Sequence, residues 1–236
     1  MNPAETPILV VRDLVVQRHG VPVVRGASLD VRPSQVVAIV GPNGSGKTTM
    51  LEAVSGVIKP SRGSVLLQGT DITKKSRRHR SLMGLRHVRQ GRSIFADLSV
   101  EENLRVTAND VERAFEIFPE LRDRARLLAK DLSGGEQQML VLAQALISQP
   151  SCILIDEISL GLAPRVVKRL IGVVKEAAEA GSAILLVEQF ASVAMDIADV
   201  AVVLVRGKIA LIERTEALRD DPSVLHNAYL GRDLPE

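Results

Sequence analysis

Aromatic side chains are scarce in this chain: Phe, Tyr and Trp together make up 2 % of it, with no Trp and a single Tyr. Binding of single-stranded nucleic acid relies on stacking bases on such rings, so that class of function lacks its platform here. Cysteine is nearly absent as well. The lone Cys152 excludes an internal disulfide framework and fits a reducing compartment, and its place in the apolar run before Asp156 marks it as a small core residue. No apolar run reaches the ~18 residues of a membrane span. The first residues, Met1-Asn2-Pro3-Ala4-Glu5-Thr6-Pro7, have neither the basic start nor the apolar stretch of a secretory leader. A cytoplasmic protein is expected, its membrane contact, if any, made through a partner. Charge of one sign is missing too. Thirty Lys and Arg face 28 Asp and Glu, a formal net charge of +2, which leaves no overall electrostatic footprint for nucleic acid.

What the chain does have is apolar residues in the right amount and order for a large core. At 236 residues and 46 % hydrophobic content it suits either one large α/β domain or a domain carrying a smaller insertion. From Ile8 to Val31, β-branched runs broken at Arg18-His19-Gly20 and Gly26 predict antiparallel strands in hairpin order. Val36-Val37-Ala38-Ile39-Val40, Ile153-Leu154-Ile155, Ala183 to Val187 and Val200 to Val205 read as buried strands. Helical patterns lie between them: Thr48 to Val54 closing near Gly56, a stripe after Pro164 that ends at Gly181, and Phe190 to Ile197. Strands alternating with helices predict a mainly parallel sheet. Pro60 to Gly63 and Gly69-Thr70-Asp71 read as turns around a strand from Ser64 to Gln68. Ser99 to about Ala129 reads as helical, opened by a Ser99/Glu102 capping box, and a second box at Ser133 and Glu136 opens a helix that ends before Pro150. The basic run Lys74-Lys75-Ser76-Arg77-Arg78-His79-Arg80 has no interleaved aromatics and is expected to be a solvated loop or helix face.

Two stretches carry chemistry. Gly41-Pro42-Asn43-Gly44-Ser45-Gly46-Lys47-Thr48-Thr49 fits GxxxxGKT directly after the Val36 to Val40 strand. A glycine-rich turn between a buried strand and a helix aims successive backbone N–H groups and the positive helix end at one point, which suits a polyphosphate. Lys47 would neutralise the terminal phosphates and the Thr48 hydroxyl would hold Mg²⁺. Asp156 and Glu157 follow a second buried strand, at the end of the sheet where α/β proteins place their sites. In that setting the first acid serves the metal and the second polarises the attacking water.

Between these lies Leu132-Ser133-Gly134-Gly135-Glu136-Gln137-Gln138. With the phosphate loop before it and the acid pair after it, this run resembles the LSGGQ signature of the ATP-binding cassette (ABC) ATPases. The resemblance covers essentially the whole chain. It implies an ABC cassette over residues 1–236 with a mainly parallel core sheet, an antiparallel β subdomain and a helical subdomain at about 91–150. It further implies ATP and Mg²⁺ as cofactors, with Ser133, Gly134, Gly135 and Glu136 reaching the γ-phosphate held by a second subunit in a homo- or heterodimer. Gln90-Gly91-Arg92-Ser93-Ile94-Phe95 and the segment to Leu104, Phe118-Pro119-Glu120-Leu121, Ser159 to Pro164, Val187-Glu188-Gln189 and Ala228 to Gly231 are similar to the branch that powers branched-chain amino acid uptake. From that branch Gln90 is assigned as magnesium ligand and link to the membrane subunit, and Gln189 stands where most cassettes have His. Two membrane permease subunits and, indirectly, a substrate-binding protein are the implied partners, on the cytoplasmic face of the membrane, with no nucleic acid. The chain departs from the wider family at Ala163, at Ile158, and at the adenine-stacking aromatic, for which Arg18 or His19 is the substitute. Two alternatives are a soluble ABC ATPase acting on nucleic acid or ribosomes, which would show paired cassettes, a coiled-coil insertion or zinc cysteines, and a phosphate-loop kinase, against which the LSGGEQ run argues.

Overall fold

The structure is a computed structural model that describes residues 6–89, 91, 94–108 and 110–231. β1 (Leu9–Arg18) and β2 (Val21–Val31) form the expected hairpin. Its two turn residues, His19 and Gly20, take φ of 50° and 80°. Positive φ at both positions matches the twist of the flanking strands, which is why the chain breaks there. β3 (Val36–Val40) leads through the glycine-rich turn into α1 (Lys47–Ser55), which Gly56 closes at φ 79°. β4 (Arg62–Leu67) and β5 (Thr70–Asp71) join the hairpin in an antiparallel sheet of order β2-β1-β4-β5. α2 (Arg77–Leu82) and β6 (Leu85–Val88) follow. Four helices precede the next strand: α3 (Val100–Arg105), α4 (Glu112–Ile117), α5 (Pro119–Arg122) and α6 (Gly134–Leu146). The rest alternates through β7 (Cys152–Asp156), α7 (Pro164–Glu179), β8 (Ala183–Val187), α8 (Ala191–Ile197) and β9 (Val200–Val205). It ends with β10 (Lys208–Arg214), α9 (Thr215–Asp220) and α10 (Pro222–Tyr229). The second sheet has the order β10-β9-β3-β8-β7-β6, parallel throughout except for β10.

The inner strands β3, β8 and β9, and β7 up to Asp156, are apolar because each is covered on both faces, and alternate residues feed different cores. Val36, Ala38 and Val40 of β3, Ile153 and Ile155 of β7, and Ile184 and Leu186 of β8 pack with α6 and α7. Their neighbours Val37, Ile39, Leu154 and Leu185 pack with Met50, Leu51 and Val54 of α1 and with Leu9, Val11 and Leu67 of the antiparallel sheet. The two sheets thus share α1 as common filling. Cys152 is fully buried in that second core, as expected.

Four expectations need correction. Arg80 is not solvated. It is 1 % exposed, and its guanidinium donates to the Ala53 and Val54 carbonyls at 2.9 and 2.6 Å and to those of Lys75 and Thr73 at 3.1 and 2.8 Å. A cation at the last turn of α1 satisfies carbonyls that the helix leaves open and complements its negative end. Thr70–Asp71 is a short strand paired with Leu66 and Leu67 and not merely a turn, and its neighbour strand starts at Arg62, two residues before the expected Ser64. The Ser99 to Ala129 stretch is three short helices, interrupted before Glu112 and by Pro119. The strands β6 and β10, absent from the periodicity reading, lie at the two edges of the parallel sheet.

Candidate functional site

β3, β8 and β7 are neighbours and run parallel, so their carboxyl ends open on the same edge of the sheet. The chain leaves β3 as the phosphate loop, β7 as Asp156-Glu157 and β8 as Glu188-Gln189. Residues more than a hundred positions apart therefore meet for reasons of topology.

The loop is pinned from behind. Gly41 lies at φ 151°, and a Cβ there would stand 2.1 Å from the Leu204 carbonyl oxygen of β9. Only glycine lets the chain pass that close. Gly46 forms the N-cap of α1 at φ 106°. Lys47 is buried and donates to the Gly41 and Pro42 carbonyls at 2.8 and 3.1 Å, which folds the loop around its ammonium group. Burial lowers its pKa, against the nearby charges of Glu157 and Asp156.

Thr48 donates to Asp156 Oδ1 at 3.2 Å, bringing a hydroxyl and a carboxylate together at the loop's exit. Burial is the main force pushing the Asp156 carboxyl up to about 6; Glu157 and Glu52 add to it, while the Thr48 hydrogen bond and Lys47 oppose it. Glu157 donates its backbone N–H to the Val187 carbonyl at 2.9 Å and takes φ 52°, a left-handed conformation unusual outside glycine. A cavity of about 390 Å³ opens beside these groups, lined by Asn43, Gly44, Gly46, Lys47, Thr48 and Thr49 of the loop together with Glu157 and Gln189.

Other candidate residues fall elsewhere. Gly41 and Ser45 are buried and do not line the cavity. Gln90 lies outside the described residues. The guanidinium of Arg18 is fastened to α1, donating to Thr49 Oγ1 at 3.1 Å and pairing with Glu52, which also faces Arg89 at 3.7 Å. Neither Arg18 nor His19 lines the cavity. Ser133 caps α6 as expected: its hydroxyl accepts from the Glu136 N–H at 3.3 Å, and the Glu136 carboxylate accepts from the Ser133 N–H at 2.9 Å. The Ser133 hydroxyl, which also donates to that carboxylate at 2.7 Å, and then the Ser133 N–H and Arg124 hold the Glu136 carboxyl below its usual range against its partial burial. Ser133 and Gly134 are exposed and do not reach the cavity.

Val23 and Leu160 line it unforeseen. The alternation in β2 that leaves Val21 and Val23 off the core was the only signal for the first, and for Leu160 there was none.

These groups suit a polyphosphate with a divalent ion. Ser45 Oγ is buried without a hydrogen-bond partner among the described residues, an orphaned polar atom within the glycine-rich loop. Thr48 and Asp156 offer hard oxygen donors, as Mg²⁺ prefers, and no cluster of three or more His, Cys, Asp or Glu occurs among the described residues. Protein alone supplies too few ligands, the usual situation for a magnesium ion that is also held by phosphate oxygens and water.

The raised Asp156 pKa carries a stability prediction. A folded-state pKa above the ordinary 3.8 means the folded chain binds the proton more tightly, so stability falls as pH rises from about 4 through about 6, and the full cost is present above that. In nucleotide-free, chelator-treated protein, Asp156→Asn should raise the melting temperature at pH 7.5 by an amount equivalent to about 1–3 kcal/mol, the free-energy scale of a shift of this size. At pH 4.5 the gain should fall to about a third of that, and it should vanish only below the ordinary pKa of 3.8. A gain independent of pH would contradict the burial argument.

Comparison with known proteins fits this geometry. A family model described as ABC transporter matches residues 24–159, more than half of the chain. The chain belongs to the ABC transporter family, as an ATP-binding cassette with ATPase activity. BraG of Pseudomonas aeruginosa, a high-affinity branched-chain amino acid transport ATP-binding protein, is 35 % identical over 213 residues, covering 86 % of this chain and 91 % of BraG. LptB of Acidithiobacillus ferridurans, from a lipopolysaccharide export system, is 32 % identical and covers 89 % and 90 %. Among solved structures, the ADP conformation of MJ1267, an ATP-binding cassette of an ABC transporter, superposes with a TM-score of 0.84 at 26 % identity, over 96 % of this chain and 99 % of that one. No helix among the described residues is long and apolar enough to cross a membrane.

Proposed function

We propose that this chain is the ATP-hydrolysing subunit of an importer for branched-chain amino acids or related small molecules, a single cassette over residues 1–236 with a helical module at about 91–150. The observation that carries the motor reading is the convergence of the phosphate loop, Glu157 and Gln189 on one cavity at the ends of three adjacent strands.

In this reading the amides of Gly41 to Thr49 and the Lys47 ammonium group bind the ATP phosphates. Thr48 and Asp156, with Gln90, hold Mg²⁺, which supplies charge neutralisation at the β- and γ-phosphates. Glu157 polarises the attacking water. Gln189 hydrogen-bonds the γ-phosphate or orients that water, which an amide can do without carrying charge. Arg18 offers a guanidinium plane for adenine, stiffened by Glu52. The exposed N-terminus of α6 at Ser133 to Glu136 lies off the cavity of its own chain, which supports a site completed by the α6 of a second ATPase subunit. Two membrane permeases take up the resulting motion on the cytoplasmic face, and a binding protein delivers cargo to them.

BraG and the probable branched-chain amino acid transport protein LivF of Archaeoglobus fulgidus, 36 % identical over 191 residues, support the cargo class. LptB supports a second reading, lipopolysaccharide export. Deleting the gene and measuring uptake of labelled leucine, isoleucine and valine separates the two. Loss of high-affinity uptake, restored by the wild-type gene, is the expected result. Normal uptake with lipopolysaccharide retained in the inner membrane would overturn the importer reading.

A further inference from the structure

Glu188 has no surface exposure, yet it carries a carboxyl group. A position needed only for packing would be apolar, because burying a carboxylate costs free energy unless donors surround it. Both oxygens are indeed engaged by one residue: Ser159 donates its backbone N–H to Oε1 at 3.2 Å and its hydroxyl to Oε2 at 2.8 Å. Burial pushes the Glu188 pKa up, and these two bonds oppose it.

The two segments joined in this way are the ones that carry Glu157 and Gln189. The first link between them is the Glu157 N–H on the Val187 carbonyl at 2.9 Å, and the second, two residues further along one segment and one residue further along the other, is the Ser159–Glu188 pair. Glu188 is itself fixed from β3, donating its N–H to the Ile39 carbonyl at 3.1 Å. Between the two links stands Glu157 at φ 52°. A non-glycine residue in that region costs on the order of 1–3 kcal/mol and persists only where its flanks are held.

We propose that Glu188 is a positioning residue: through Ser159 it locks the loop after Glu157 to the turn bearing Gln189, so that both side chains meet the γ-phosphate and its water in fixed register. This rests on the reading of Glu157 as the group that polarises water. Hydrolysis by positioning is sensitive to such register, since a displacement of about 1 Å costs roughly 100-fold.

The test compares full-length Glu188→Ala, Glu188→Gln, Ser159→Ala and Glu157→Gln in steady-state ATP hydrolysis, equilibrium ATP binding and thermal unfolding. Glu188→Ala should lose about 100-fold in kcat while its Kd for ATP stays within about threefold of wild type. Glu188→Gln keeps one acceptor for the Ser159 N–H and lets the hydroxyl accept from its amide, so it should recover to within about tenfold of wild type. Ser159→Ala should lower kcat with Kd unchanged and with some loss of melting temperature, because it removes one of the donors to a buried carboxyl while the Ser159 N–H remains, and it carries the test if Glu188→Ala fails to fold. Wild-type kcat in Ser159→Ala and Glu188→Ala would overturn the proposal, as would equal losses of binding and hydrolysis without rescue by Gln. Full activity in Glu157→Gln would instead overturn the underlying reading, whereas an inactive Glu157→Gln beside an active Glu188→Ala would overturn this proposal alone.

Discussion

Glu157→Gln should bind ATP as the wild type does, hydrolyse it about 10²–10⁴-fold more slowly, the range lost with a general base, and accumulate as an ATP-bound dimer on size-exclusion chromatography. The substitution changes one atom. It leaves the backbone bond to Val187 and the φ of 52° in place, so the fold has no reason to respond. It also leaves Lys47 and the loop amides untouched, and these are the groups proposed to meet the phosphates. What disappears is the carboxylate's ability to take a proton from water. If the site is closed by the α6 N-terminus of a second chain, as proposed, it then holds its nucleotide and cannot reopen by hydrolysis, which stabilises the dimer by mass action. A fully active, monomeric variant would contradict both the base and the shared site.

Lys47→Ala should reduce ATP affinity by at least about 100-fold, equivalent to roughly 2.7 kcal/mol, and take hydrolysis down with it. Two losses combine. The cation facing the phosphates is gone, and so is the anchor that gathers the Gly41 and Pro42 carbonyls at 2.8 and 3.1 Å. The shape of the loop around the cavity depends on that anchor. Because burial already lowers the Lys47 pKa, its charge costs the folded chain something, and the melting temperature without nucleotide should change little. Isothermal titration calorimetry and thermal unfolding on the same sample separate the two effects. Unchanged ATPase activity would remove the phosphate loop from the mechanism.

Much of the architecture was legible because its signals are local. The buried strands β3, β7, β8 and β9 announce themselves as unbroken apolar runs, and the capping boxes at Ser99 and Ser133 form as their spacing requires. The meeting of the phosphate loop, Glu157 and Gln189 follows from strand order, which a parallel α/β pattern makes foreseeable. What stayed hidden depends on partners distant in sequence. Leu85-Arg86-His87-Val88 reads as polar, and only its place beside β7 makes it a strand. Arg80 sits among cations in the sequence, yet the Ala53 and Val54 carbonyls of α1, 27 and 26 positions away, together with those of Thr73 and Lys75 nearby, draw it inside. Arg18 stands where an aromatic was expected, and its ion pair with Glu52, 34 positions away, has no signature in periodicity. Glu188 looks in the sequence like a hydrophilic residue after a strand. Its burial becomes visible only when Ser159 is found against it.

The left-handed backbone at Glu157 bears on how this position can change over time. Judged by conformation alone, glycine is the favoured residue there, since it takes positive φ without steric penalty. Design for stability would therefore replace Glu157, and if Glu157 polarises the attacking water as proposed, a library selected only for folding would fill with variants that bind ATP and turn it over slowly. On that reading the acidic side chain at this site serves turnover, since the backbone at that position makes no demand for it.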